Sequence, residues 1–350
     1  MQPMSLPDAI CDAVHARLES LSRLGDPLEA LNERIPWETF RPVLEPVHQK
    51  PRTSNAGRKP IDVVLMFKML VLQSLYNLAD EQLEYQIRDR LSFMRFLGLS
   101  LADRVPDRTT IWLFRERLKE LGLMKPLFDQ FGDYLAASGY QARSGQIIDA
   151  SIVRVPIQRN SRDENARIKA GEVPENWSDA KREQKDVDAR WTEKHGKQYY
   201  GYKNHIDVDA EHTFVRTYEV TPANVHDSQV FDAVIDPDNA DPDVWADSAY
   251  RSEDTEVVLE AAGYASHIHE KGQKDRPLTD AQKQRNRERS RVRCRVEHVF
   301  GFQQNSMGGK LIRTIGLARA QVKIGLMNLT YNLMRYLQLS RRGTSMPAAA

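Results

Sequence analysis

Gln146-Ile147-Ile148-Asp149-Ala150-Ser151-Ile152-Val153 is a short apolar run broken by one carboxylate, and it reads as a buried strand. An ionised carboxylate in such a place is costly unless it is paired or binds a metal, so Asp149 asks for a functional explanation. Downstream, residues 158–198 are polar and charged with little apolar periodicity, which predicts an insertion or long loop. Strand signals resume at Tyr199–Val208 and Phe214–Val220, and Asp227–Ile235 reads as helical. Val244-Trp245-Ala246-Asp247 is a fourth short strand that ends in a carboxylate. A helix over Glu253–Ala262 is closed by Gly263, and a fifth strand follows over Ala265–His269. Helical patterns cover Arg289–Gln304 and Ala318–Leu339. Strands first, then strands alternating with helices, make a mixed α/β domain.

The chain N-terminal to this domain is helical in pattern. Residues 1–60 hold short helical patches interrupted by prolines, and His48–Pro60 reads as a mobile basic crossing. From Ile61, apolar residues such as Val64, Phe67, Leu72 and Leu75 occupy nearly every face, which predicts a buried helix. Asp80 is placed to cap the next helix. Asp107 is placed to cap a further one that carries Thr109, Thr110 and Arg115 near its start. A polar, Thr- and Arg-bearing helix start resembles a helix-turn-helix reader, with an ordinary helical bundle as the alternative.

At 350 residues the chain predicts two or three units, and 41% hydrophobic with 28% charged residues excludes a collagen-like or wholly disordered protein. Cys11 and Cys294 are too few for a disulfide framework, which predicts a reducing, intracellular setting. Val63–Leu78 is too short to span a membrane, and the acidic N-terminus is not a signal peptide, so a cytoplasmic protein is expected. The net charge of +1 hides an asymmetry: His298–Ala350 has no Asp or Glu and carries +7. Lys271–Arg295 holds ten basic residues against three acids, with arginine at every second position from Arg285 to Arg295. On a helix those arginines spread around the cylinder; a polyanionic partner is one reading and a solvated, charge-rich segment the other.

Three carboxylates on separate elements, Asp149, Asp247 and Glu297, can converge on two divalent ions and cut or join a phosphodiester. Arg293 lies four residues before Glu297 on the same helix face. With 49 acids in the chain, Asp207, Asp209 or Asp227 are possible substitutes. Lys203 and His205 are candidates to touch a phosphate, and Tyr250 with Arg251 to stack on or clamp a distorted base. Asp227 is expected to cap the helix after it, His267 and His269 to share a strand face without making a zinc site, and Trp112, Trp177 and Trp191 to pack.

Asp149 in IIDAS, Asp247 in WADSAYRS and Glu297 in RCRVEHVFG together resemble the blocks of bacterial insertion-sequence DDE transposases of the insertion-sequence-five group. GYKNHIDVD, TPANVHDSQ, VPDRTTIWLFRERL and IGLARAQVKIGLMNLTYNL resemble further blocks of that group. The resemblance implies a ribonuclease-H-like mixed five-stranded sheet flanked by helices and preceded by an all-α domain. Asp149 would sit on its first strand, Asp247 on its fourth and Glu297 on a late helix. The expected organisation is an arm over 1–60, a helical DNA-binding domain over 61–140, a catalytic domain over 141–340 and a tail over 341–350. The implied reaction is Mg²⁺-dependent cleavage at terminal inverted repeats and joining of the 3′ ends to target DNA, with Mn²⁺ able to substitute. A homodimer or larger assembly, working at the bacterial nucleoid with no membrane partner, is implied with it. Expected DNA contacts are Lys203, His205, Tyr250, Arg251, Arg289, Arg293, Lys310, Arg313, Thr109, Thr110 and Arg115. Relatives often carry Tyr-x2-Arg-x3-Glu-x6-Lys; here Ser290 and Gln304 stand at the Tyr and Lys positions, and Lys310 is the nearby substitute. The competing readings are a catalytically silent DNA-binding repressor and a plain nuclease of the same fold.

Overall fold

The computed structural model describes residues 6–49, 60–194, 196–272 and 276–343, so most of the basic crossing expected at His48–Pro60 lies outside the described residues. The chain divides into two compact units, Met1–Leu123 with Leu333–Ala350, and Met124–Asn332.

Among the described residues the first unit is all helical. Its opening helix, Leu6–Arg23, is longer than the short patches expected there, because the first interrupting proline is Pro27. Pro27 begins the next helix, where its missing N–H costs nothing, and Asp26 caps that start through Leu28 N. Val63–Leu75 is the buried helix that the apolar pattern predicts, and Asp62 accepts from Val64 N and Leu65 N at its start. Lys68 is tolerated inside it because its Nζ donates to Asn32 Oδ1 at 2.6 Å and lies over the rings of Trp37 and Phe96. Burial lowers the pKa of Lys68 to about 8. Asp80 does not cap its helix: it is the first residue of Asp80–Asp89, and its carboxylate receives Arg115 and Gln73 instead. Asp107 does cap Arg108–Glu120, accepting from Thr110 N at 2.8 Å.

The second unit is built on a sheet of β1 (Gln146–Arg154), β2 (Arg190–Lys194), β3 (Lys197–Asp209), β4 (Val215–Pro222), β5 (Asp243–Ala246) and β6 (Ala265–Ser266). The order is β2-β3-β1-β5-β6, with β4 also paired to β3. β3 runs antiparallel to β1, β2 and β4, whereas β5 runs parallel to β1 through Gln146–Ile148 and β6 runs parallel to β5. This antiparallel-to-parallel switch at β1 is what the resemblance to a ribonuclease-H-like sheet leads one to expect. β6 is short, yet its ladder continues past it through His267 N to Val244 O and His269 N to Ala246 O.

Among the described residues the sheet has six strands, not the five expected. The additional strand β2 lies in the stretch read as a loop, together with short helices Arg162–Lys169 and Asp179–Gln184. Asp247 therefore follows the fifth strand in chain order. The excursion leaves and rejoins the sheet at one point, where Val155 N donates to Tyr200 O at 3.0 Å. Gly201 makes that junction possible, since a Cβ there would collide with the Val153 carbonyl.

Alternation places Asp149 and Ser151 of β1 on the same face as Asn204 of β3. On that face Asn204, Asn328 and Gln303 form a buried amide trio, in which Asn204 and Asn328 exchange hydrogen bonds of 2.9 and 3.0 Å. The other face buries Ile148 with Phe231, Val234, Tyr250, Leu259 and Ile268.

Candidate active site

Asp149 points from β1 into a cavity of about 780 Å³ that Asp247 and Glu297 also line. Asp247 arrives there because β5 lies parallel beside β1 and the carboxylate follows immediately after the last residue of the strand. Its side chain accepts from Ala249 N at 2.5 Å, which caps the turn Ser248–Tyr250. Glu297 comes from the long helix Asp280–Gly301, whose start is fixed by a reciprocal cap between Thr279 and Gln282. Its side chain is 67% exposed.

Asp149 is held by Arg293 Nη1 at 2.8 Å and by Ala150 N at 2.8 Å. Burial is the largest influence on its carboxyl and raises the pKa to about 6; Asp247 pushes the same way, while Arg293 opposes both. Arg293 Nη2 lies 4.0 Å from Glu297, so one guanidinium spans two of the three acids. Arg285, Arg289, Arg293 and Glu297 recur every four residues along one side of the helix. Arg287 and Arg291 face solvent, so the alternating arginines do spread around the cylinder.

The cavity is completed by Lys194, Tyr199, Ser151, Gln304 and Lys310. Gln304 Nε2 donates to Ser151 Oγ at 2.6 Å, and Lys310 stands beside the end of β1, where Arg154 N donates to Lys310 O. Lys194 and Tyr199 were not anticipated from sequence. The short charged segment Arg190–Lys194 has no apolar alternation to mark it as a strand.

Several expected contacts have other partners. Lys203 is bound to Asp227 Oδ1 and Val225 O, both at 2.7 Å, so Asp227 does not cap the following turn; His226 does. His205 is fully buried against Thr221 Oγ1, and desolvation lowers its pKa to about 4. Tyr250 is only 1% exposed, inside the cluster with Phe231, which excludes it from stacking on a base. Arg251 lines a different cavity and donates to Ile268 O. Arg289 also donates to Ile268 O, and Arg115 makes its two-pronged pair with Asp80. Thr109 and Arg313 are exposed, and Thr110 is half-buried. Of the substitute carboxylates, Asp207 is wholly buried and Asp209 caps the turn before Phe214; neither lines the cavity. His267 pairs with Asp243 and His269 with Ser290, so the two rings have separate partners. Trp177 is buried and bonded to Glu164, but Trp112 and Trp191 are 43% and 47% exposed, against the expectation that they pack.

Among the described residues no group of three His, Cys, Asp or Glu is drawn close enough to hold a metal. The donor chemistry nevertheless fits a hard divalent cation. Three carboxylates and no sulfur face one cavity, and Asp149 sits between a repelling carboxylate and a guanidinium that supplies positive charge. No single described helix is long and apolar enough to cross a membrane.

Comparison with known proteins identifies the family. A family model described as a transposase domain (DUF772) matches residues 16–117, and one described as a transposase DDE domain matches residues 140–333. Among solved structures, the chain is similar to that of a piggyBac transposase synaptic complex with hairpin DNA, with a TM-score of 0.44 and 10% identity. That similarity covers 90% of this chain and 76% of the other. The DDE match spans more than half of the sequence and includes all three carboxylates that meet at the cavity, and on that ground the chain belongs to the DDE transposase family.

Proposed function

We propose that this protein is a transposase that cleaves DNA at the terminal inverted repeats of its own element and joins the freed 3′-hydroxyls to a target duplex. The observation that carries this reading is the convergence of Asp149, Asp247 and Glu297, from β1, the end of β5 and the long helix, on one cavity. These three would hold Mg²⁺, with Mn²⁺ as a substitute, and a metal held there would supply activation of a water or 3′-hydroxyl and stabilisation of charge on the phosphodiester oxygens. The chain's own residues do the positioning. Lys194 and Lys310 line the cavity wall as cations for a backbone phosphate, and Lys310 takes the part that Gln304 cannot play. Gln304 instead holds Ser151 in the strand that bears Asp149. Arg293 keeps Asp149 ionisable within the protein and is placed to pass to a phosphate.

Arg313, Thr109 and Thr110 remain as outlying DNA contacts, whereas Lys203, His205, Tyr250, Arg289 and Arg115 serve the fold. The helical domain would recognise the terminal repeats, and a dimer or larger assembly would bring two ends together. Binding should weaken steeply with salt.

The test is a supercoiled plasmid carrying the gene with its flanks, incubated with Mg²⁺ or Ca²⁺ and with Asp149→Ala as control. Cuts at two inverted ends in Mg²⁺ alone, absent in the variant, are the expected result. Salt-sensitive binding without cleavage would instead favour the silent DNA-binder. Cleavage without joining to a second duplex would favour the plain nuclease.

A further inference from the structure

We propose that Gln303, backed by Asn328 and Asn204, is a positioning residue that aims Glu297 at the metal the cavity would hold; the proposal rests on the metal reading above. Of the three acids, Glu297 is the least held. Asp149 is bonded by Arg293 and Ala150 N, and Asp247 by Ala249 N. Glu297 is 67% exposed, and its nearest charged partner among the described residues, Arg293 Nη2, stands 4.0 Å away. Its direction is therefore set by the roll of its helix about the helix axis. Before Glu297 that helix is tied down, as where Asn286 exchanges hydrogen bonds with the Glu270 backbone and Arg289 donates to Ile268 O.

Past Glu297 the helix runs into a π turn, Phe302–Ser306, closed by Met307 N donating to Phe302 O. Such turns are rare and cluster at functional sites. Here two successive side chains grip two neighbouring strands. Gln304 Nε2 donates to Ser151 Oγ on β1 at 2.6 Å. Gln303 Nε2 donates at 2.8 Å to Asn328 Oδ1, from the last helix Leu317–Gly343, and that oxygen also accepts from Asn204 Nδ2 on β3. Ser151 and Asn204 are direct partners in the β1–β3 ladder, so both grips land on one register position. A single grip would leave the helix free to roll about it, whereas two that reach adjacent strands fix the roll. Glu297 lies about two turns before Gln304 and lines the same cavity, and Asp149 lies two residues before Ser151 on the same strand face. The clamp thus fixes one acid relative to the other. Gln303, Asn328 and Asn204 are each at most 1% exposed. Apolar side chains would fill that space as well, but apolar contact has no direction, and hydrogen bonds restrict angle.

The experiment titrates the full-length protein with Mn²⁺, followed by electron paramagnetic resonance, in wild type, Gln303→Met, Glu297→Gln and the double variant. Methionine keeps the shape of Gln303 without its donor, and Asn328 Oδ1 still has Asn204, so no buried acceptor is stranded. Gln303→Met should weaken Mn²⁺ binding about tenfold, the lower end of what loss of an outer partner does to a metal site. In the Glu297→Gln background, where Asp149 and Asp247 remain to bind, the same change should move the affinity by no more than about twofold. A side chain that no longer ligates loses nothing by being mis-aimed, whereas a general loosening of the fold would weaken both backgrounds alike. That second pattern, or a Gln303→Met protein that binds Mn²⁺ as the wild type does, would overturn the proposal. Should Gln303→Met melt early, Gln303→Leu carries the same comparison. Wild type that binds no Mn²⁺ would sink the metal reading and the clamp with it, whereas failure in the four-protein comparison sinks the clamp alone.

Discussion

At pH 7.5 and without divalent metal, Asp149→Asn should be more stable than the wild type, although on the proposed function it should fail to cut DNA. The reason lies in the cost of keeping an ionised carboxylate in β1. Burial raises the Asp149 carboxyl from its ordinary 3.8 to about 6, even with Arg293 and Ala150 N bound to it. Between those two values the folded protein binds a proton that the unfolded chain does not, so Asp149 costs nothing below the lower value. Its cost grows as pH rises and is complete above the higher one. Two pKa units correspond to about 3 kcal/mol at neutral pH. Asparagine keeps the volume and offers Arg293 a carbonyl oxygen, so the variant sheds the charge without opening a hole. For a unit of this size, that free energy raises the melting temperature by roughly 6–12 °C. Differential scanning calorimetry in EDTA at pH 4.5, 6.0 and 7.5 should show a gap that is small at the first and full at the last. Added Mg²⁺ should then close the gap by stabilising only the wild type. An asparagine variant no more stable than wild type at pH 7.5, or a gap that ignores pH, would refute the argument.

Other outcomes follow from single contacts. His205, held near a pKa of about 4 by burial, destabilises the fold as pH falls from 6.5; replacing it with Gln should flatten the acid limb by about 3 kcal/mol, read from urea melts across that range. Arg115→Ala strands Asp80 and should cost about 2–3 kcal/mol in the same assay while leaving the salt slope of DNA binding unchanged. Gly201→Ala drives a methyl group into the Val153 carbonyl and should cost about 3 kcal/mol or more, visible as loss of soluble protein. Arg293→Gln removes the charge that holds the Asp149 carboxyl down, so the pH midpoint for Mn²⁺ binding, followed by electron paramagnetic resonance, should move upward from about 6.

The framework of the candidate site was legible in the sequence because its strands are apolar and carboxylates interrupt or end them. IIDASIV and VWAD declare both a buried strand and an anomalous carboxylate in a few residues. Other features needed three dimensions. β2 was invisible because a five-residue edge strand reading RWTEK buries little and shows no apolar alternation. Lys203 and His205 looked like phosphate contacts because they neighbour Asp149 in the sheet. Alternation turns them to the opposite face, where Asp227 and Thr221 await them. Tyr250 follows an acid that lines the cavity, yet the turn after Asp247 folds its ring into the core. Asp80 and Arg115 each looked free to act alone; only packing shows that they neutralise one another.

The junction of Val155 with Tyr200 has an evolutionary corollary. Lys194, Tyr199 and Trp191 belong to the segment between those two residues, whereas Asp149, Asp247 and Glu297 lie outside it. The segment is tied back at two further places, where the Tyr202 hydroxyl donates to the Asp186 carboxylate and Leu317 N donates to Asp188 Oδ2. Between those ties length and sequence are free to drift across relatives, and at the ties they are not.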